Sequence, residues 1–392
     1  MGNEFTFIHC ADLHLGSRFK GLADYNRSLA ESMRESVFES FERIVDLAID
    51  RKADALIISG DVFDDSNELP STRMRFVQQL SRLDIPVFIC RGNHDSSTSW
   101  DASIPYPDNV HEFGTEAESY EFGDVQIIGI SYAQPHEDRN LAQMIAGDPS
   151  RFTIACIHCD IDSYSEGYPY APCSVSDLSG RSVDYWALGH IHKRNVVSES
   201  PYIVYPGNIQ GRSFKETGEK GAYVVKVSSG RIESLAFFPT QTYQWSDLTV
   251  DIGGKTLSDV VSELKPVLKD GSIARIRFIG SGELDTMLRS NREDVRRSIA
   301  SSTGFLISEI IVDTSPELDL ESLAGGKDMR AAIIRSADNI SNLSKKDIID
   351  YICTNKNMSR SRDFFEQMDE QRLKDLVSEA MKNALVKMEV LR

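Results

Sequence analysis

Apolar positions along the first half of the chain predict helices and strands in alternation. In Leu29–Asp50 the apolar residues recur at three- and four-residue steps, which predicts an amphipathic helix. A second helix is predicted over about Ser71–Leu83, and short apolar runs around both helices predict buried strands. This alternation is typical of an α/β fold. The predicted strands are Phe5–Cys10, Ala55–Ser59, Pro86–Cys90, Val125–Ile130, Thr153–His158 and Tyr185–Leu188.

The pattern changes after Tyr202, where apolar runs are separated by Gly/Ser turns and no helix is predicted between them. An antiparallel portion is therefore expected to close a first, catalytic domain over residues 1–244. The order strand, helix, strand, helix, strand over residues 245–315 predicts a small α+β capping domain. Residues 316–392 are expected to form a mainly helical C-terminal region.

The composition is that of a globular chain. The 392 residues are 41% apolar and 26% charged, and no apolar run approaches the roughly 18 residues of a membrane span. The first residues lack the pattern of a signal peptide, and six cysteines are too few for a disulfide scaffold in a chain of this length. The prediction is a cytoplasmic protein without membrane contact.

Side chains that bind metals follow the ends of the predicted strands. Asp12 and His14 come just after the first strand, two residues apart, so both can project to one side as the chain leaves the sheet. Loops at the carboxyl ends of strands are where open α/β sheets place their sites. A metal centre is therefore predicted at this edge. The further candidates are Asp61, Asn93, His158, His190 and His192.

The residue types favour two divalent ions. Carboxylates, imidazoles and an amide oxygen together suit Mn²⁺ first, with Fe²⁺, Zn²⁺ or Mg²⁺ as alternatives. Asp61 is the predicted bridge, because a carboxylate can bind two ions at once whereas an imidazole normally cannot. The expected division is Asp12, His14 and His192 at the first ion and Asn93, His158 and His190 at the second.

These motifs, in this order and spacing, resemble the calcineurin-like metallophosphoesterase superfamily. The resemblance implies a two-sheet α/β sandwich flanked by helices and hydrolysis of phosphate esters at two metal ions. It also implies that His94 binds no ion, contacts the scissile phosphate and acts as general acid. The motifs that carry the resemblance are Asp12-x-His14, Gly60-Asp61, Gly92-Asn-His-Asp95, His158 and Gly189-His-Ile-His192.

Finer features over about residues 5–240 resemble the SbcD-type DNA repair exonucleases. This resemblance implies a DNA exo/endonuclease that forms a homodimer and works with a coiled-coil SbcC-type ATPase. Asp64 and Asp65 depart from the pattern, because many relatives have a histidine or another residue there. The segments that carry the resemblance are His9–Gly16, Gly60–Phe63, Gly189–Lys193 and Tyr205–Phe214.

The net charge of −17 leaves an alternative function open. Proteins that bind nucleic acid by neutralising phosphates usually carry a basic patch. An acidic domain would suit a metallophosphatase or phosphodiesterase acting on nucleotides or phosphoproteins, although the local field at a metal site can oppose the total charge. If DNA is the substrate, the candidate contacts beside the motifs are Arg91, Lys193, Arg212 and Lys215.

Several features have a simpler structural interpretation. His9 lies within a strand and Asp95 follows the candidate site, so both are expected to be structural. Cys156 and Cys159 have the spacing of a zinc or redox pair, but no second pair lies at zinc-ribbon spacing. The apolar stripe of a predicted helix over 369–392 favours packing on its own chain, with docking to a partner coiled coil as the alternative.

Overall fold

The computed structural model describes residues 4–17, 27–64, 69–96, 104–162 and 170–390. The chain divides into two compact units. One comprises Met1–Asp247 with Leu268–Ala274, and the other comprises Leu248–Val267 with Arg275–Arg392. The predicted separation of 245–315 from 316–392 stays a prediction.

The first unit contains two six-stranded sheets, in the orders β12-β11-β1-β2-β3-β4 and β5-β6-β7-β8-β10-β9. Strands β1, β2 and β3 are parallel, as are β6, β7 and β8. The strands are β1 Glu4–Cys10, β2 Ala55–Ser59, β3 Val87–Cys90, β4 Val110–Glu112, β5 Glu118–Phe122, β6 Val125–Gly129, β7 Phe152–His158, β8 Tyr185–Gly189, β9 Asn195–Glu199, β10 Tyr202–Tyr205, β11 Gly221–Ser228 and β12 Arg231–Pro239.

Alternate residues of the central strands face two different cores. Phe7 of β1 packs between the sheets with Phe88 and Tyr185, whereas Ile8 faces the helices and packs with Phe41. This follows from the two-residue period of a strand, and it explains why the central strands are continuous apolar runs. The outer face of the second sheet has its own buried cluster, which includes Leu141, Leu178 and Trp186.

Helices cover the outer face of the first sheet. The amphipathic helix α1, Arg27–Asp50, buries Met33, Val37, Phe41 and Ile44 at helical spacing. Helix α2, Pro70–Leu80, begins at a proline, which costs no hydrogen bond at that position, and buries Phe76. The first unit also contains α3, Val175–Leu178, and a 3₁₀ turn at Leu141–Met144.

The remaining strands form a three-stranded sheet in the order β13-β14-β15, with bounds Gln244–Asp251, Ser272–Ser281 and Leu306–Ser315. The last helices make two small apolar cores, one around Leu385 and Ile334 and one around Leu373 and Ile348. The helices after β13 are α4 Leu257–Leu264, α5 Leu284–Ser290, α6 Arg292–Thr303, α7 Leu320–Ala324, α8 Met329–Ser341, α9 Lys345–Cys353, α10 Arg362–Gln367 and α11 Glu370–Val390, with a 3₁₀ turn at Ser359–Ser361.

The predicted α/β sandwich with flanking helices and a helical C-terminal region is confirmed. Two details of the prediction were wrong: α2 ends at Leu80, and β10 lies in the second sheet, parallel to β8 and antiparallel to β9, rather than with β11 and β12. Short β4, β5 and β9 were missed, because three to five half-exposed residues carry little apolar signal. Among the described helices, none is long and apolar enough to span a membrane.

Candidate metal centre

The parallel strands bring the predicted ligands to one edge of the sandwich. The loops after β1 and β2 are joined by backbone bonds, since Asp12 N–H donates to Gly60 O at 3.1 Å and His14 N–H donates to Asp61 O at 3.0 Å. A third loop joins them where Asp12 Oδ1 accepts the His190 N–H at 3.0 Å. The two sheets therefore contribute to a single site.

Asp12, His14 and His192 form one group of candidate ligands, with one ligand atom of each within 4.8 Å of the others. The Nε2 atoms of His14 and His192 lie 3.0 Å apart. Asp12 and His14 are almost fully buried. The predicted first half-site is thus assembled as expected from the sequence.

Asp61, His158 and Asn93 make up the adjoining part of the site. Asp61 Oδ2 lies 3.5 Å from His158 Nε2 and 3.9 Å from His14 Nε2, between the two halves. Asn93 Oδ1 lies 3.2 Å from His158 Nε2, and the His190 ring lies 5.2 Å from the His158 ring. The seven predicted ligands are therefore linked to one another by short contacts at one edge of the sandwich.

The donor set fits divalent cations. Beside Nδ1 of His14 and of His192 lie carboxylate oxygens of Asp64, at 3.1 Å, and of Glu216, at 2.8 Å. A proton held on His192 Nδ1 by Glu216 leaves the His192 Nε2 lone pair facing His14 Nε2, 3.0 Å away, where a cation can bind it. The described geometry therefore matches the carboxylate–imidazole sites that bind transition metals.

Burial and neighbouring charges act differently on the individual candidate ligands. Burial lowers the pKa of His14, with the Arg212 charge acting in the same direction, and it lowers the pKa of His190 to about 3. At His192 burial also lowers the pKa, but the hydrogen bond to Glu216 outweighs it, so the pKa of His192 is raised. Burial raises the pKa of Asp12, whereas at Asp61 the neighbouring histidines outweigh burial and the pKa is lowered. His190 is therefore held neutral and Asp61 ionised, which are the forms that bind metals.

His94 lies beside the candidate ligands and is oriented by backbone. Its N–H donates to Asp61 Oδ1 at 3.0 Å, and its Nδ1 lies 2.6 Å from the carbonyl oxygen of Asp64. A carbonyl oxygen only accepts, so Nδ1 carries the proton and Nε2 is left to exchange one with a bound molecule. The ring centroid lies 5.0 Å from that of His14.

Glycines make room for the His158 ring. A Cβ on Gly92 would overlap Asp61 Oδ1 and lie 2.8 Å from His158 Nε2. A Cβ on Gly189 would overlap the carbonyl oxygen of Ser59 and lie 2.7 Å from His158 Nδ1. The glycines next to the candidate ligands are therefore required for close approach.

Three residues that contact the candidate ligands were not assigned a role in the sequence analysis. Glu216 contacts His192 at 2.8 Å, and Asp64 contacts His14 at 3.1 Å. The buried Nζ of Lys220 donates to the His192 carbonyl at 2.7 Å. Single polar residues outside a periodic pattern carry no signal of their own. Asp64 and Glu216 could have been found only from their positions shortly after the segments Gly60–Phe63 and Tyr205–Phe214.

The candidate DNA contacts fall into two pairs. Arg91 forms an ion pair with Glu112 at 3.0 Å, and Arg212 forms one with Asp64 at 2.7 Å. Lys193 and Lys215 are exposed. Only the lysines thus offer charges at the surface that no described carboxylate neutralises.

The simpler interpretations of His9 and the cysteines agree with the structure. His9 is fully buried, and its ring nitrogens lie 3.0 Å from Tyr185 Oη and 3.2 Å from Ser59 Oγ. Cys156 lies in the core between the sheets, while Cys159 lies in the core on the outer face. The two thiols therefore do not form one site.

A two-sheet α/β sandwich with this donor set at its strand ends defines a metallophosphoesterase. Residues 5–194 match the calcineurin-like phosphoesterase family. The chain is 35% identical over 302 residues to YhaO of Bacillus subtilis, an uncharacterized metallophosphoesterase, covering 72% of this chain and 73% of that protein. The chain belongs to the calcineurin-like phosphoesterase family, whose members are phosphoesterase hydrolases that use divalent metal ions.

More distant relatives include a DNA double-strand break repair protein and a nuclease subunit. The chain is 26% identical over 249 residues to the DNA double-strand break repair protein Mre11 of Sulfurisphaera tokodaii, covering 58% of this chain and 60% of that protein. It is 23% identical over 402 residues to SbcD of the nuclease SbcCD of Escherichia coli, covering 82% of this chain and 95% of that protein. The resemblance to the superfamily, with SbcD among the relatives, is confirmed.

Proposed function

We propose that this protein is a two-metal DNA exo/endonuclease that hydrolyses phosphodiester bonds in DNA repair. The observation that carries the proposal is the position of Asp61 Oδ2 between the two halves of the site, 3.5 Å from His158 Nε2 and 3.9 Å from His14 Nε2. Two distant relatives, one named as a DNA double-strand break repair protein and one as a subunit of a nuclease, support DNA as the substrate.

In this proposal Asp61 would be shared by two ions, with Mn²⁺ as the first choice. When bound, the ions would activate water and neutralise charge on the phosphoryl oxygens. The carbonyl of Ser59, 2.9 Å from His158 Nδ1, fixes that ring so that Nε2 faces Asp61 Oδ2, 3.5 Å away. The proposed holders are Asp12, His14 and His192 for the first ion and Asn93, His158 and His190 for the second, with Asp61 shared.

His94 is the proposed general acid. With Nδ1–H held by the Asp64 carbonyl, its Nε2 is the atom that hands a proton to the leaving oxygen. The Asp61 carboxylate accepts the backbone N–H of His94, so the residue that would be shared by the two ions also fixes the backbone position of His94. The proposed proton donor is therefore held at a fixed position relative to the metal centre.

DNA contacts, partner and assembly complete the proposal. Lys193 and Lys215 are the proposed phosphate contacts, because both are exposed. A homodimer and a coiled-coil ATPase of the SbcC type are proposed partners, since SbcD of the nuclease SbcCD is a relative. Residues 369–392 are the proposed docking helix; α11 covers Glu370–Val390 of that range, and 391–392 lie outside the described residues. Leu373 and Leu385 of α11 pack in the chain's own cores, so a partner would bind another face of the helix.

Hydrolysis of small phosphate esters is the second candidate. The observation in its favour is that Arg91 and Arg212 are both neutralised by carboxylates, which weakens the positive surface available to a long DNA strand. A nucleotide or a phosphorylated side chain needs fewer such contacts.

An assay of the full chain with Mn²⁺ separates the two candidates. The substrates are single- and double-stranded DNA, a small phosphodiester and a phosphomonoester, each with and without a chelator. Chelator-sensitive cleavage of DNA is expected. Turnover of the small esters with intact DNA would contradict the nuclease and support the second candidate.

A further inference from the structure

Three side chains are joined to one another next to the Nδ1 atoms of His14 and His192. Arg212 Nη1 donates to Asp64 Oδ1 at 2.7 Å, and Arg212 Nη2 donates to Glu216 Oε1 at 3.3 Å. The guanidinium thus joins the two carboxylates. We refer to Asp64, Arg212 and Glu216 as the carboxylate–arginine bracket.

Each carboxylate of the bracket contacts one candidate ligand on the side away from the ion position. Asp64 Oδ1 lies 3.1 Å from His14 Nδ1, and Glu216 Oε1 lies 2.8 Å from His192 Nδ1. The Nε2 atoms of the same two rings lie 3.0 Å apart. The five side chains therefore form a closed ring of contacts, with the two Nε2 atoms at its inner edge.

The bracket is itself held by its surroundings. Glu216 Oε2 accepts the Arg212 N–H at 2.8 Å and an Asn208 side-chain N–H at 2.9 Å. The Glu216 side chain is only 13% exposed. A carboxylate with this many donors has little freedom to rotate, so it can fix the ring in front of it.

We propose that Asp64, Arg212 and Glu216 are positioning residues that hold the His14 and His192 rings for the first ion and leave the second ion unaffected. This rests on the proposed two-ion site. A carboxylate that accepts the far N–H of a metal-binding histidine, as Glu216 is placed to do for His192, fixes the ring and its tautomer, and its loss typically weakens metal binding about 10- to 100-fold. Asp64 lies at ion-pair distance from His14 Nδ1 without a hydrogen bond to it, so its effect on His14 is electrostatic.

The two halves of the site differ in this respect. The far nitrogen of His158 lies 2.9 Å from the Ser59 carbonyl, where the first half-site has a carboxylate. A carbonyl in a central strand cannot be changed by substitution, whereas the bracket consists of side chains alone. The proposal also gives Arg212 a structural partner in place of a DNA phosphate.

The test is metal binding rather than activity. Mn²⁺ content of the full chain is measured by equilibrium dialysis and elemental analysis for the parent, Glu216→Gln and Asp64→Asn. The matched control is Glu112→Gln. Glu112 is a carboxylate that is 18% exposed and pairs with an arginine, but that arginine is Arg91 and not a residue of the bracket. Thermal unfolding of the metal-free variants checks that each one folds.

In both bracket variants one of the two ions is expected to bind about 10- to 100-fold more weakly and the other unchanged, with the control like the parent. Equal binding curves for parent and bracket variants, or equal weakening of both ions, would overturn the inference. A parent that binds no ion pair would instead overturn the proposed function, so the two failures are distinguishable.

Discussion

Nδ1 of His94 lies 2.6 Å from the carbonyl oxygen of Asp64, so the backbone rather than a carboxylate orients this imidazole. The side chain of Asp64 faces His14 at the same time. Asp64 thus contacts His94 through its backbone carbonyl and the candidate ligand His14 through its side chain.

Removing this imidazole tests its role. His94→Ala is expected to lower kcat about 10²- to 10⁴-fold, because general acid catalysis contributes that much, while both ions remain bound. Single-turnover cleavage and elemental analysis measure the two quantities. His111→Gln, which changes a half-buried histidine stacked on Phe88, is the control; loss of the ions in His94→Ala would make His94 a ligand.

Removing the ions tests the bridge. Saturating Mn²⁺ at about 100 times its dissociation constant is expected to stabilise the folded protein by about 2.7 kcal/mol, seen as a rise in Tm that a chelator reverses. Asp61→Asn should abolish this rise, because a neutral amide cannot bridge two cations. Asp54→Asn, at an exposed carboxylate that accepts the Thr6 N–H, should keep it; a normal rise in Asp61→Asn would disprove the bridge.

The third prediction concerns Gly92, where there is no room for a Cβ next to Asp61 and His158. Gly92→Ala forces Asp61 or His158 to move, since the new Cβ would overlap Asp61 Oδ1. We expect a loss of about 1–3 kcal/mol in the free energy of unfolding and weaker Mn²⁺ binding. Urea denaturation measures the first effect. In Gly325→Ala the nearest atom to the new Cβ lies 3.6 Å away, so that variant should behave like the parent.

Asp95 ties two ligand loops together and gives a fourth prediction. Its Oδ1 accepts the Gly92 N–H at 2.8 Å and its Oδ2 accepts the Val62 N–H at 2.6 Å. In Asp95→Asn one of these donors faces an NH₂ group, which should cost about 1–3 kcal/mol of stability. Denaturation of the metal-free protein measures it, and an unchanged midpoint would show that the two N–H groups find other partners.

The sequence predicted much of the site because the ligands carry their signal locally. Asp12 and His14, or His190 and His192, stand two residues apart directly after apolar runs, so parallel strands bring each pair to one edge of its own sheet. That the two pairs meet depends on how the two sheets pack. Glu216 could not be found in this way, since it lies 24 positions from His192 and their contact depends on how the chain between them folds back. Ion pairs between residues far apart in the sequence are equally hard to predict.

The same limit applies to the arginines. Arg91 and Arg212 stand beside motifs in the sequence, which suggested phosphate contacts. Only the fold shows that Glu112 and Asp64 lie within 3.0 Å and 2.7 Å of them. The short edge strands were missed for a related reason, because their half-exposed residues lack an apolar pattern.

The candidate ligands sit on backbone that their side chains disfavour. In the left-handed region a residue other than glycine costs roughly 1–2 kcal/mol, and four ligand positions at one site adopt it. A library of variants selected for heat resistance alone would therefore accumulate glycine or asparagine at these positions and lose metal binding without losing the fold. The positions are Asp12, His14, Asp61 and His190, with φ of 52°, 48°, 49° and 100°.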